Sequence, residues 1–208
     1  MTHRLAFACA MLVAVVTAAA AEPIVPAGIQ TGIFGQEARG NRFVYVFDRS
    51  ASMGEPDGRP LARAKQELLA SLDRLGSVQQ FYVVFYNQRQ HVFNAADARH
   101  RLVFATDDNK RAARRFIEAV RADGGTRHFE AIATGLRLRP DVMFVLTDGE
   151  AADDLSAAEL ESLGGSLAGT KCIVVQFGGD DGRRSPRLAR LAEMSGGRYA
   201  VVDAVAGD

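Results

Sequence analysis

The sequence is poor in residues that would tie a fold together covalently. It has two cysteines in 208 residues, Cys9 and Cys172. Cys9 lies in an amino-terminal apolar run, and the Ala-Phe-Ala before it lacks the Leu of a lipid-attachment site. Cys172, in KCIVVQF, has no partner for an internal disulfide and reads as a small core residue of a strand, so packing, with or without a metal, must hold the fold. An excess of charge is missing too, since 25 Lys and Arg face 25 Asp and Glu. Without a clustered basic face, nucleic acid is not an expected partner. The basic run Lys110 to Arg115 is interrupted by Ala112 and Ala113 and reads as the solvated face of a helix. No Gly-x-Ser-x-Gly elbow accompanies His91, His100 or His128, which argues against a Ser-His-Asp hydrolase, and His128 at a helix start reads as a surface residue. The glycine-rich GQEARG and FGGDDG lack the Gly-Lys-Ser or Gly-Lys-Thr ending of a phosphate loop.

What is present begins with a targeting signal. His3 and Arg4 precede the apolar run Leu5 to Val16, followed by small residues to Ala21 and then Glu22. A short positive region, an apolar stretch too short to span a bilayer and a small-residue end describe a secretory signal, residues 1–21, cut after Ala21. The alternative is an uncleaved anchor extending through the alanines. With Arg4 gone the remaining chain is about one unit acidic, and its expected location is secreted or periplasmic. No second apolar span follows, so no membrane span is expected after cleavage. Residues 22–40, rich in Gly and Pro, read as a leader with an edge strand at Gly32 to Phe34. The rest, 41–208, reads as one domain, because a chain that is 48% apolar can build one good-sized core.

Within that domain apolar runs alternate with helical patterns. RFVYVFD, FYVVFYN, DVMFVLTD, KCIVVQF and RYAVVD read as strands. PLARAKQELLASLDRLG puts Leu61, Ala64, Leu68, Leu72 and Leu75 on one helical face, with Pro60 suited to the first turn. DDNKRAARRFIEAVRADGG reads as a helix stopping at Gly124 and Gly125. RHFEAIATGLRLR, SAAELESLGGSLAG and SPRLARLAEMSGG read as three more, and HVFN to RLVFAT as a short antiparallel return. Strands apolar on both faces and separated by helices imply an α/β fold: a Rossmann-like, doubly wound, mostly parallel sheet with a short antiparallel edge strand and helices on both faces.

In such a sheet a ligand sits beyond the carboxyl ends of the strands, where crossovers diverge. Three segments end on that rim. Asp48, Ser50 and Ser52 in FDRSASMG follow the first strand, Thr126 lies in the Gly-Gly-Thr turn between two helices, and Asp148 ends DVMFVLTD. Taken singly, Asp48 and the serines read as turn or cap residues, and Asp148 as a turn residue of TDGE. Together, two carboxylates and three hydroxyls form a set of hard oxygen ligands suited to Mg²⁺, Mn²⁺ or Ca²⁺, not zinc or copper. Alternation along an extended loop would point Ser50 and Ser52 the same way. Two aspartates balance a divalent ion and the hydroxyls add no charge, which leaves room for a further anionic oxygen from a partner's Asp or Glu.

DRSASM, GGT and LTDG, in this order and on alternating strands and helices, resemble the von Willebrand factor type A domain with its metal ion-dependent adhesion site, over about residues 41 to 203. The resemblance implies that Asp48, Ser50 and Ser52 form the first loop of that site, Thr126 the second and Asp148 the third. It implies an ion held directly or through water and often bound by a partner's carboxylate. Arg49 and Ala51 fill the variable positions of the first loop, Ala51 where Gly is frequent. Arg127 follows Thr126 where many relatives carry a polar or acidic residue; it either repels the ion or helps an acidic partner bind, and a solvent-facing first-turn residue is the plain alternative. Glu150 and Asp57 are accessory candidates, Glu150 also toward a partner, against the plain reading of surface loop acids. The expected function is a non-enzymatic, metal-dependent protein-binding module. A Mg²⁺-dependent phosphotransfer enzyme is the rival, but such sites pair the nucleophilic Asp with an acid two residues on and a lysine. Position 50 is serine and no lysine lies near the motifs.

Overall fold

The computed structural model describes residues 27–93, 101–149, 153–178 and 184–203. The signal reading and Glu150 lie outside them. Five parallel strands make the body of the sheet: β3 (Arg42–Asp48), β4 (Gln80–Tyr86), β7 (Val142–Thr147), β8 (Lys171–Phe177) and β9 (Arg198–Val202). They stand in the order β4-β3-β7-β8-β9. Two short segments, β5 (Gln90–Val92) and β6 (Val103–Phe104), pair antiparallel with β4, so the antiparallel edge expected as one piece is in two.

Five helices cover the sheet: α1 (Arg59–Asp73), α2 (Asp107–Ala119), α3 (His128–Arg137), α4 (Ala157–Gly164) and α5 (Pro186–Met194). Alternation along the strands separates two cores. Phe43, Tyr45, Phe47 and Phe144 pack with Leu61, Leu68 and Leu72 of α1 and Ile117 of α2. Val44, Val46 and Val145 pack on the other face with Ile132 of α3, Leu163 of α4 and Leu191 of α5. Period-two burial on both faces is what a doubly covered sheet requires. Cys172 is fully buried among the second set, as its apolar run suggests, and burial pushes its thiol up to about 12. Among the described residues no helix is long and apolar enough to cross a membrane.

Two segments differ from their sequence reading. Residues 29–40, read as leader with one edge strand, form a hairpin of β1 (Ile29–Ile33) and β2 (Gln36–Gly40) packed on α1. Its two-residue loop, Phe34-Gly35, has positive φ at both positions (48° and 70°), the primed geometry that matches strand twist. The usual Asn-Gly signal is absent; instead Phe34 packs edge-on against Phe177 with centroids 5.1 Å apart, and its N–H donates to Glu67 at 2.7 Å. A buried hydroxyl chain, Thr31 to Ser71 to Tyr45 with both steps 2.8 Å, joins hairpin, α1 and β3. The second difference is the end of α2. It stops at Ala119, because Val120 is extended (ψ 141°) and buried, and Lys65 Nζ binds the carbonyls of Glu118 and Val120 at 3.2 and 2.6 Å. The stretch 120–127 is thereby a loop on the rim of the sheet.

Candidate metal centre

From β3 the chain passes to β4 on one side and later to β7 on the other, so the crevice at the carboxyl ends of β3 and β7 is the topological switch point. Asp48 ends β3 and Asp148 directly follows β7. Asp48 is fully buried. Its Oδ1 accepts the Ser50 N–H at 2.7 Å and its Oδ2 accepts the Thr147 hydroxyl at 2.7 Å. Thr147 in turn accepts the Gly149 N–H at 2.8 Å, so one hydroxyl ties the two strand ends together.

The two serines meet, though not by the route expected. Residues Ala51–Gly54 form a 3-10 turn, not an extended loop, with the Met53 N–H on the Ser50 carbonyl at 3.1 Å. Ser50 Oγ and Ser52 Oγ lie 3.2 Å apart, and Ser52 Oγ donates to Asp148 Oδ1 at 3.1 Å. Asp48, Ser50, Ser52 and Asp148 therefore form one contiguous cluster. Thr126 is half-buried on the neighbouring loop, two residues beyond Gly124, whose carbonyl accepts the Ala51 N–H at 2.9 Å. It makes no hydrogen bond to the other four.

Burial dominates the electrostatics. It pushes the Asp48 carboxyl up to about 6, against the Thr147 and Ser50 hydrogen bonds and with help from the Asp148 charge. Asp148 is also raised, by burial first, with the Ser52 hydroxyl opposing. Two carboxylates that strain to ionise side by side in a poorly hydrated pocket, surrounded by hydroxyls, make a donor set that fits a hard divalent cation. Among the described residues no group of three or more His, Cys, Asp or Glu is placed to hold a metal, so a cation at this candidate site would depend on two carboxylates and the hydroxyls.

The remaining candidates sort by exposure. Arg127 precedes α3 with its side chain 68% exposed and its guanidinium 3.8 Å from Glu130. With Thr126, His128, Asp153 and Glu159 it lines a polar cleft of about 300 Å³ beside the cluster. Asp57 is a solvent-exposed acid 3.8 Å from Arg59, which matches its plain reading. His128 overturns its surface reading. It is buried, Nδ1 lies 2.8 Å from the Tyr86 hydroxyl, and burial pushes its pKa down to about 4 against the pull of Asp153, Asp154 and Glu159. His128 lies on the side of the first turn of α3 that faces the sheet, while Arg127 and Glu130 beside it stay exposed. Thr147 also serves the cluster without having stood out in sequence. For Thr147 the available signal was a hydroxyl next to an acid at a strand end.

No family model matches the chain, and no curated protein matches it. Its fold has clear counterparts among solved structures. A von Willebrand factor type A protein from Catenulispora acidiphila superposes with a TM-score of 0.67 at 22% identity, over 80% of this chain and 40% of that one. The conserved hypothetical protein BatB from Bacteroides thetaiotaomicron gives 0.60 at 17% identity, over 79% of this chain and 91% of that one. Proximal thread matrix protein 1 from the mussel byssus, whose MIDAS motif holds zinc, gives 0.51 at 20% identity, over 78% and 41%. The chain thus spans well under half of the first and third of these proteins. It has the fold of a von Willebrand factor type A domain.

Proposed function

We propose that the chain is a protein-binding module of the adhesion type, in which Asp48, Ser50, Ser52, Thr126 and Asp148 hold Mg²⁺, or else Mn²⁺ or Ca²⁺, and engage an acidic side chain of a partner protein. The observation that carries this is the contiguous Asp48-Ser50-Ser52-Asp148 cluster at the switch point of the sheet. A bound ion supplies positive charge that two aspartates balance and three hydroxyls leave unscreened, with capacity for one more anionic oxygen. The chain's own residues do the rest. Thr147 and the Ser50 N–H fix the orientation of the Asp48 carboxylate, and Ser52 links Ser50 to Asp148. Arg127 offers an exposed cation to an acidic partner; Glu150, the second partner-facing candidate, lies outside the described residues. That the mussel protein of this fold has a zinc-occupied MIDAS motif supports a metal-binding reading, while all-oxygen donors favour a harder ion here. The signal read in residues 1–21 of the sequence supports a secreted or periplasmic location.

Phosphotransfer fits the site less well. Ser50 stands where the second acid of such enzymes is needed. The chain's three lysines are engaged elsewhere or distant: Lys65 and Lys110 donate to main-chain carbonyls, and Lys171 opens β8 at the opposite end of the sheet. Capture of a partner from the envelope or medium by the purified chain is expected to be lost in EDTA, restored by Mg²⁺ and absent for Asp48→Ala. Capture indifferent to EDTA contradicts the metal-bridged reading.

A further inference from the structure

Arg49 stands between two candidate ligands, Asp48 and Ser50, yet its side chain turns away from them. It is only 15% exposed despite its place in a loop. Its Nη1 donates to the Arg121 carbonyl at 3.1 Å and to the Asp123 carboxylate. Asn87, just past β4, grips the same residue, with Nδ2 donating to the Asp123 carbonyl at 2.8 Å and to its carboxylate at 2.6 Å. The backbone adds three bonds: the Asp123 N–H to the Arg49 carbonyl at 2.9 Å, the Ala51 N–H to the Gly124 carbonyl at 2.9 Å, and the Arg49 N–H to the Tyr86 carbonyl at 2.8 Å. Residues 49 and 51 are thus bound to the second loop, which leaves 48, 50 and 52 to face the cluster. Gly124, at φ 74°, makes the turn toward Thr126, and a Cβ there would come within 2.6 Å of Gln88 and 2.8 Å of Asn87. Position and conformation of that turn are fixed together.

We propose that Arg49 is a positioning residue of the metal site: its guanidinium fastens the 121–123 segment to the first loop and so sets Thr126 relative to Ser50 and Ser52. This rests on the metal-holding role of the cluster proposed above. Thr126 has no hydrogen bond to the other four candidate ligands, so the loop-to-loop contacts at Arg121 and Asp123, the nearer of them three residues upstream, together with the Gly124 backbone bond, are what place it. Charge and position act here with opposite signs. A cation beside a divalent site repels the ion, so deleting Arg49 would tighten metal binding if its charge were what mattered. Loss of an outer contact that orients ligands weakens binding by about 10–100-fold.

The test is a Mg²⁺ titration of the purified full chain and of Arg49→Ala and Arg49→Lys, with the electron paramagnetic resonance spectrum of bound Mn²⁺ as a second readout. Asp141→Asn, which loosens the fold at the opposite end of the sheet, is the stability control. Arg49→Ala is expected to bind about 10–100-fold more weakly with an altered Mn²⁺ spectrum. Both contacts come from the single nitrogen Nη1, so Arg49→Lys, which keeps the charge but not the reach of the guanidinium, is expected to bind more weakly than the parent and more tightly than Arg49→Ala. Asp141→Asn should bind like the parent. An unchanged or tighter Kd in Arg49→Ala overturns the proposal, as does an equal loss in Asp141→Asn, which would trace the effect to stability alone. If the parent chain binds no divalent ion, the site reading falls and the clamp with it; if it binds and the Arg49 variants match it, the clamp alone falls.

Discussion

Asp48 concentrates the chemistry of the site in one side chain. It is fully buried, its carboxyl is raised to about 6, and both its oxygens are held by donors from different segments. In the metal-free chain an ionised carboxylate there is penalised by burial, so a neutral isostere should cost the fold little. Asp48→Asn is expected to unfold in urea, in the presence of EDTA, within about 1 kcal/mol of the parent, since one hydrogen bond is exchanged for another. A much larger loss would mean that Asp48 is a structural residue first. At this scale the meeting of Asp48, Ser50, Ser52 and Asp148 was legible from residue type and spacing, as acids and hydroxyls at the ends of strands and turns. Their supports were not. Arg49 binds partners 72 and 74 positions along the chain, and Thr147 reads as the polar end of an apolar strand until Asp48 is placed opposite it. His128 was misread for the same reason, because the tyrosine that binds it lies 42 positions away.

Elements were easiest to read where one periodicity ran for several turns or strands' length, and hardest where a single contact decided a boundary. The apolar face of α1 lies where the Leu and Ala spacing puts it. The end of α2 and the β1-β2 hairpin depend on Lys65 and Phe34, whose partners are remote in sequence. Ile33 closes β1 and is fully buried, so the hairpin belongs to the folded body. Ile33→Ala should lower stability by about 2–4 kcal/mol, as for other large-to-small changes in a core; denaturant unfolding unchanged by it would make the hairpin a detachable leader. At the amino end of the sheet, Asp141 joins β7 to β3. Burial raises its carboxyl, but N–H donors of Asn41 and Arg42 at 2.7 and 3.0 Å and the Arg42 guanidinium outweigh it and hold the group below its ordinary range. A lowered folded-state pKa stabilises above the unfolded value, and the contribution is lost as pH falls through the folded one. Asp141→Asn is therefore expected to cost roughly 1 kcal/mol at pH 7, kept small by the exposure of Arg42. That gap from the parent should close in acid, which urea unfolding at several pH values would show; a gap independent of pH would assign the effect to packing.

The whole molecule explains why three distant motifs can act as one. A parallel sheet brings every strand's carboxyl end to the same rim, and the reversal of strand order between β4, β3 and β7 opens a crevice there. The architecture was readable because five apolar runs alternate with helical patterns, and parallel strands require those crossovers. The site inherits its place from this topology and its fine geometry from the loop-to-loop contacts of Arg49, Asn87 and Thr147. The most direct measurement of the account is a calorimetric titration of the metal-free chain with Mg²⁺ and Mn²⁺, beside Asp48→Asn. One divalent ion bound per parent chain and none by Asp48→Asn, with both chains folded, is the predicted result. No binding by the parent, or equal binding by the two, would contradict it.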